Sequence, residues 1–473
     1  MKFLVKEWTS IKLQCYNWKT NLKERIDIMY LCKKILTASI ALGLVTTAAS
    51  LSVTLAATVA YAAGESNPDS EIILTLTDAK ERLLEENTDL ELLENNLNNL
   101  YYQLRSSRED LENLEDSQED YGENLEDLKA KLTDLENEKA AFIADQEAPL
   151  TPPLSTDEYI NRLIDFDIRI SQLNQTINSL TNNIGSLNDN ENSLEANIDS
   201  IRNNIDLQEE NKAITEEKLK YNLEKIYIQI LSLDLEIIKK ESTLSLTELA
   251  FYNENLKLQL GLTQVSNVKS TEETYLYAKN NLDSLRNQQD QLMNELKVLM
   301  GYPTGTKVKL EDISLNEITL PSYQDGLNEV LKDGVEINYQ KMLCDNQKDY
   351  IDDLEDEYDG SENEIRNEKY KLEEYEINLK KVMTAAENTY YNNYHDFELL
   401  GDSVDLLEEQ LTHTESLNKQ SHMQYDLGVL SKEDLAAKDD AYLQAQLTFK
   451  QKQYEFAAAA SAYNMAEQGY LIN

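Results

Sequence analysis

Tyr425-Asp426-Leu427-Gly428-Val429-Leu430-Ser431-Lys432-Glu433-Asp434-Leu435 is the stretch on which the fold turns. A long apolar-periodic run arrives at Leu427. Gly428 then offers the positive-φ position that commonly ends a helix. Ser431 suits an N-cap, and Asp434 lies three residues on, where a capping box needs its acid. A second periodic run leaves at Leu435, so the stretch reads as the tip of a helical hairpin. A version of it lies earlier, at Leu260-Gly261-Leu262-Thr263-Gln264-Val265-Ser266-Asn267-Val268. A constant offset of 167 sets Gly261 on Gly428, Val268 on Leu435, Tyr275 on Tyr442, Leu276 on Leu443 and Leu282 on Phe449. Two such tips, in register from Gly261 to Leu282 and from Gly428 to Phe449, indicate an internal duplication.

Working outward, the pattern is helical almost everywhere. Leu90, Leu93, Leu97, Leu100, Leu104, Ser107, Leu111, Leu114, Gln118, Tyr121, Leu125, Leu128, Leu132, Leu135, Lys139 and Phe142 alternate three-four spacing without a break. That is coiled-coil periodicity. Pro149, Pro152 and Pro153 stop this run. A returning seam follows from Leu163 and Phe166 to Ile201 and Ile205, with Glu191 among its positions. The two seams flank one Pro-rich turn and most simply pair antiparallel as a hairpin over about residues 105–205. A parallel dimer is the alternative. The step from Asn87 to Gly261 is 174, but that from Gly334 to Gly428 is only 94, and the hairpin accounts for the excess of 80. No segment alternates with the strand period over a useful length. The fold class is therefore all-α: elongated helical hairpins and coiled coil in two repeats, with no evident β-barrel.

The chain divides into a leader with signal peptide at 1–63 and a first helical repeat at 64–302. A linker at 303–322, bounded by Pro303 and Pro321, precedes a second repeat at 323–473. Within the leader, Lys33-Lys34 precede an apolar run over 35–60 that ends in Ala60-Tyr61-Ala62. A basic start, an apolar stretch and an A-x-A site make a secretory signal. Cleavage near Ala62 or Ala63 is the favoured reading; retention of 35–60 as an N-terminal anchor is the other. Either reading sends the body out of the cytoplasm, into the cell envelope. Met1 and Met29 are both available as starts.

The formal net charge is −44, and because the leader at 1–63 holds 8 Lys/Arg against 3 Asp/Glu, the body carries −49. Such a body repels phosphate, which argues against nucleic acid as a partner. Of three cysteines, only Cys344 lies outside the leader, so the mature body cannot close an internal disulfide. No phosphate loop, nucleophile elbow or zinc spacing occurs. His395, His413 and His422 form no ligand or triad pattern. Enzyme activity, metal and cofactor are accordingly not assigned.

Leu74-Thr75-Leu76-Thr77-Asp78-Ala79 followed by Asn87-Thr88-Asp89-Leu90, the tip at 425–435, and Leu296-Lys297-Val298-Leu299-Met300-Gly301-Tyr302-Pro303 together resemble the TolC family of outer-membrane efflux ducts. The resemblance covers most of 74–104 and 220–473. It implies a homotrimer whose helices form a tunnel. That tunnel would dock a periplasmic-adaptor-like protein linked to an inner-membrane transporter. By the same resemblance Leu260, Gly261, Leu262, Leu427, Gly428 and Val429 are the adaptor-docking tips, and Asp434 is an acid of the entrance constriction. Ala437 stands where a second acid is often found. The family's barrel-building strands have no counterpart: the coiled-coil hairpin stands in their place in the first repeat, and only the Asp359-Gly360 turn in the second. Two functions follow from these readings. One is a component of an envelope export duct. The other is an extracytoplasmic coiled-coil structural or interaction protein with no transport role.

Overall fold

A Thr or Ser that caps a helix three residues before an Asp opens each repeat. The computed structural model describes residues 72–147, 154–303, 305–313, 320–356 and 362–472. The leader with its apolar run 35–60, the Pro149–Pro153 turn and the Asp359-Gly360 break lie outside the described residues. Thr75 Oγ1 accepts from Asp78 N at 3.1 Å, and the Asp78 carboxylate accepts from Thr75 N. This capping box starts α1, Leu76–Glu86. Ser322 caps α5, Tyr323–Asp333, through Asp325 N in the same way. Both helices are 11 residues long. Each halts at one residue and hands over to a longer helix: α2, Thr88–Glu147, after Asn87, and α6, Val335–Asp356, after Gly334. The remaining helices are α3 (Thr156–Gln259), α4 (Val265–Leu299), α7 (Glu362–Asp426) and α8 (Lys432–Glu467). The 104 residues of α3 run about 156 Å at about 1.5 Å per residue.

The two repeats coincide in the core, residue for residue. In the first, Ala79, Leu83, Leu223, Tyr227, Ile230 and Leu296 are buried together. In the second, Val330, Tyr390, Tyr394, Phe397 and Tyr463 are buried together over Gly326. An offset of 247 carries Ala79 and Leu83 onto Gly326 and Val330, and the tip offset of 167 carries Leu223, Tyr227, Ile230 and Leu296 onto Tyr390, Tyr394, Phe397 and Tyr463. The first core fills its volume mainly with aliphatic chains. The second uses stacked rings, with Phe397 and Tyr463 at 5.4 Å between centroids. Bulkier rings need a smaller partner, and Gly326 provides the space that Ala79 takes in the first repeat.

Among the described residues, strand structure enters only at the edge of the first core. β1 (Ile72–Leu74) pairs in parallel with β2 (Val308–Leu310), with Ile72 opposite Val308. The expectation from sequence contains no strand, because three residues are too few to show alternation. β2 lies inside the segment 303–322, which reads as a linker in sequence. The Tyr227 hydroxyl lies 2.8 Å from Leu74 O and 2.7 Å from Glu311 O, which ties α3 to both strands. In the second repeat the Tyr394 hydroxyl donates to Pro321 O at 3.1 Å, and Pro321 is the counterpart of Leu74 at the 247 offset.

The seams of α2 and α3 meet antiparallel within the chain. Asn197 Nδ2 donates to Ser107 Oγ at 3.3 Å, Gln118 Nε2 donates to Glu191 Oε2 at 2.6 Å, and Lys139 pairs with Asp167. Phe142 stacks on Tyr159 near the far end. The seam residues Gln118, Glu191 and Lys139 thus have polar partners across the hairpin or beside it. Both arms are continuous with body helices: α2 starts at Thr88, and α3 runs unbroken past residue 205 to Gln259.

The row of helices on the tip side is α4–α3–α8–α7. α4 packs on α3, α3 on α8 and α8 on α7, and among the described residues α4 and α7 make no extensive contact that would close it. No helix among the described residues is long and apolar enough to cross a membrane.

The paired cores can be tested at two side chains. A Cβ at Gly326 would lie 2.0 Å from the Tyr390 hydroxyl oxygen. Gly326→Ala is expected to lower unfolding free energy by about 1–3 kcal/mol, with part of the loss recovered by adding Tyr390→Phe. A Gly326→Ala protein that unfolds at the wild-type urea midpoint would contradict this packing. Burial pushes the Tyr227 hydroxyl up to about 12. Its folded value therefore lies above the unfolded one, so its contribution is complete below pH 10 and disappears as the pH climbs toward 12. Tyr227→Phe is expected to cost about 0.5–1.5 kcal/mol at pH 8. The gap from wild type should narrow above pH 10, and a gap that widens there would refute the assignment.

Candidate functional site

Among the described residues, four helix ends stop on a glycine with positive φ, and they form two matched pairs. Gly261 (φ 70) and Gly428 (φ 73) end α3 and α7; Gly301 (φ 67) and Gly469 (φ 82) end α4 and α8. Each end closes with the same two hydrogen bonds. At the first tip Gly261 N donates to Leu258 O and Leu262 N to Lys257 O; at the second Gly428 N donates to Tyr425 O and Val429 N to Gln424 O. These are Schellman turns, which satisfy the last carbonyls of a helix without side chains.

The two pairs sit in opposite surroundings. A Cβ at Gly261 or Gly428 would meet nothing within 4 Å. A Cβ at Gly301 would lie 2.9 Å from Glu86 O, and one at Gly469 2.4 Å from Gly334 Cα. The inner turns are therefore wedged against the breaks between α1 and α2 and between α5 and α6. Asn87 completes the first wedge. Its Nδ2 donates to Leu299 O at 3.1 Å, while its Oδ1 accepts from Asp89 N and Leu90 N to cap α2. In the second wedge Val335 N donates to Gln468 O at 3.0 Å.

At the outer turns the side chains are bare. Leu260, Leu262, Leu427 and Val429 are 65%, 73%, 77% and 76% exposed. One turn further in, Val268 and Leu435 are both buried, and Leu276 and Leu443 are both exposed. The register read from the sequence thus places equivalent side chains in equivalent environments. Six candidate residues fall into two apolar knobs of three residues, one per repeat.

The supports of the knobs differ. At the second tip Ser431 Oγ donates to Asp434 Oδ2 at 2.7 Å and accepts from Asp434 N at 3.0 Å. Asp434 is exposed and is engaged as the partner of the N-cap. At the first tip Gln264 makes no side-chain cap bond. There the Thr263 hydroxyl donates to Glu254, and Asn267 Nδ2 donates to Thr263 Oγ1 at 3.1 Å. The Thr263 bond, with help from Lys257, holds the Glu254 carboxyl below its ordinary value. The arms of the second tip are joined by His422, whose Nε2 lies 2.7 Å from Asp439 Oδ1. Sequence reasoning misses that pair because the residues lie on different helices, 17 positions apart. His395 instead stacks on Tyr323 at 5.6 Å. No group of three or more His, Cys, Asp or Glu suited to a metal occurs among the described residues.

No family model matches the chain. No curated protein matches it either. Among solved structures it is similar to the open state of the MtrE outer membrane channel of Neisseria gonorrhoeae. That match has 12% identity and a TM-score of 0.49, covering 84% of this chain and 89% of that one. It is similar to the CmeC outer membrane channel of Campylobacter jejuni at 11% identity and a TM-score of 0.46, covering 59% of this chain and 68% of that one. It is also similar to the outer membrane protein VceC of Vibrio cholerae at 11% identity and a TM-score of 0.43, covering 59% of this chain and 76% of that one. At such identities the likeness is one of fold.

The open surroundings of the outer glycines make a direct prediction. Gly428→Val or Gly261→Val meets no neighbour, so only the backbone conformation opposes it, at about 1–2 kcal/mol. Denaturant unfolding of either variant should show a loss of that size with helicity retained. A loss several times larger would mean that the tip supports the body.

Proposed function

We propose that the chain is a TolC-like component of a cell-envelope export system. Three copies would line a helical duct, with the two apolar knobs docking a periplasmic-adaptor-like partner linked to a membrane transporter. The observation that carries this reading is the open row α4–α3–α8–α7 with its two equivalent knobs. A four-helix bundle that closes on itself needs no copies. A row whose first and last helices make no extensive contact completes itself by addition, and a ring is the closed way to add identical rows. Duplication then sets the knobs around one end of the ring. Asp434, exposed beside the second knob, is the acid this arrangement assigns to the duct entrance, where one carboxylate per copy would favour cations. Exported placement rests on the leader.

One observation favours a second reading, a coiled-coil spacer without transport. The α2–α3 hairpin runs well past the level at which α6 ends and occupies the place where outer-membrane ducts build their barrel. The two readings separate at the knobs. Leu427→Asp and Val429→Asp leave the turns intact and put an unpaired charge on the docking surface. Crosslinking in cells with wild-type and variant baits should recover an adaptor and transporter with the wild type and lose them with the variants. Recovery of the same partners by both would leave the tips as plain turns and favour the spacer.

A further inference from the structure

The α2–α3 hairpin is supported along only part of its length. α6, which neighbours α3, ends at Asp356, the counterpart of Glu109 at the offset of 247. Up to that level the seam is well buried: Leu97, Leu104, Ile198, Ile201 and Ile205 form one cluster, with Leu100 and Leu111 against it. Beyond it, among the described residues, the arms pack on each other.

Immediately past this level the seam changes character. Gln118 occupies a seam position and bonds Glu191 Oε2 at 2.6 Å and Asn188 Oδ1 at 3.1 Å, so polar groups stand where the seam mostly carries Leu or Ile. Gly122 and Gly185 lie at the same height on the two arms, and a Cβ at either would touch nothing within 4 Å. The residue sums of the cross-arm pairs place them opposite each other: Gln118 faces Asn188 and Glu191, and Lys139 faces Asp167. Mid-helix glycine weakens a helix relative to alanine, and here no close backbone approach requires it. Among the described residues of α2 beyond Leu104, Leu135 alone is fully buried, and on α3 none is before Ile198.

We infer that Gln118, Gly122, Gly185 and Glu191 form a hinge at the foot of the free hairpin, about which the outer arm, residues 125–147 and 154–180, swings as a unit. A polar layer keeps the two arms in register. The paired glycines let both helices bend at one height, so the outer seam moves without being pulled apart. Polar pairing without bending would make the same layer a rigid register pin, and the two differ in local stability.

Hydrogen exchange on the full chain distinguishes them. A hinge requires a local minimum: amides over 116–124 and 183–193 exchanging about tenfold faster than those over 97–111 and 198–205, and also faster than those over 128–139 further out. Gly122→Ala with Gly185→Ala should then slow exchange in that layer by about fivefold per substitution, leaving the outer arm unchanged. Spin labels at Glu136→Cys and Asp349→Cys, with Cys15→Ala, Cys32→Ala and Cys344→Ala, should give a broad distance distribution that narrows in the double alanine variant. Protection that is uniform, or that falls steadily from foot to far end, would overturn the hinge. So would a narrow wild-type distance distribution, a reading that does not depend on either glycine variant.

Discussion

A tyrosine hydroxyl bonded to the carbonyl that precedes a short capped helix holds each half of this molecule in register. Tyr227 reaches Leu74 O, and Tyr394 reaches Pro321 O. Each bond pins the start of an 11-residue helix against the long helix of its own repeat. The end of the same short helix is pinned by the glycine turn at Gly301 or Gly469. With both ends fixed, α1 and α5 cannot slide, and the break at Asn87 or Gly334 directs the following helix. The two long arms of each repeat inherit their register from these few contacts. Removing the Tyr227 hydroxyl costs more than an ordinary surface hydrogen bond, because it leaves the carbonyl of buried Leu74 short of a partner.

The cores that surround the two tyrosines are filled differently. Leu223, Ile230 and Leu296 in the first repeat become Tyr390, Phe397 and Tyr463 in the second, and the extra volume is taken from Gly326. One backbone plan therefore supports a mainly aliphatic and an aromatic core, provided that volume is exchanged between neighbours. The same plan tolerates a large difference in length. The α2–α3 hairpin extends from the first repeat, and the second has only the shorter α6–α7 pair. Both additions leave the glycine wedges and the tips untouched, because they lie at the far end of the helices.

Much of this is legible in the sequence, for a physical reason. The tips can be read because a Schellman turn needs glycine and the apolar period breaks there, as it does not at the mid-helix glycines Gly122 and Gly185. The antiparallel hairpin can be read because three-four spacing continues on both sides of a Pro-rich turn. Asp434 can be read as a cap partner because its spacing from Ser431 is local. What stays hidden depends on contacts between distant residues. The β1–β2 pair joins two three-residue strands separated by an entire repeat, and neither shows a period of its own. The pairing of His422 with Asp439 spans two helices. Tyr390 and Tyr394 are recognisable only as packing residues, since their equivalence to Leu223 and Tyr227 depends on the tip offset holding through the core. The glycine at 469 escapes notice for a related reason: its offset from Gly301 is 168 rather than 167.

The proposed duct depends on the helix row being open and on identical copies completing it. Light scattering coupled to size exclusion, on residues 64–473 at micromolar concentration, measures this directly. A mass three times that of the single chain is the predicted result, and it should persist in Leu427→Asp, since the knobs face a partner and not a second copy. A monomer with full helicity across that concentration range would contradict it.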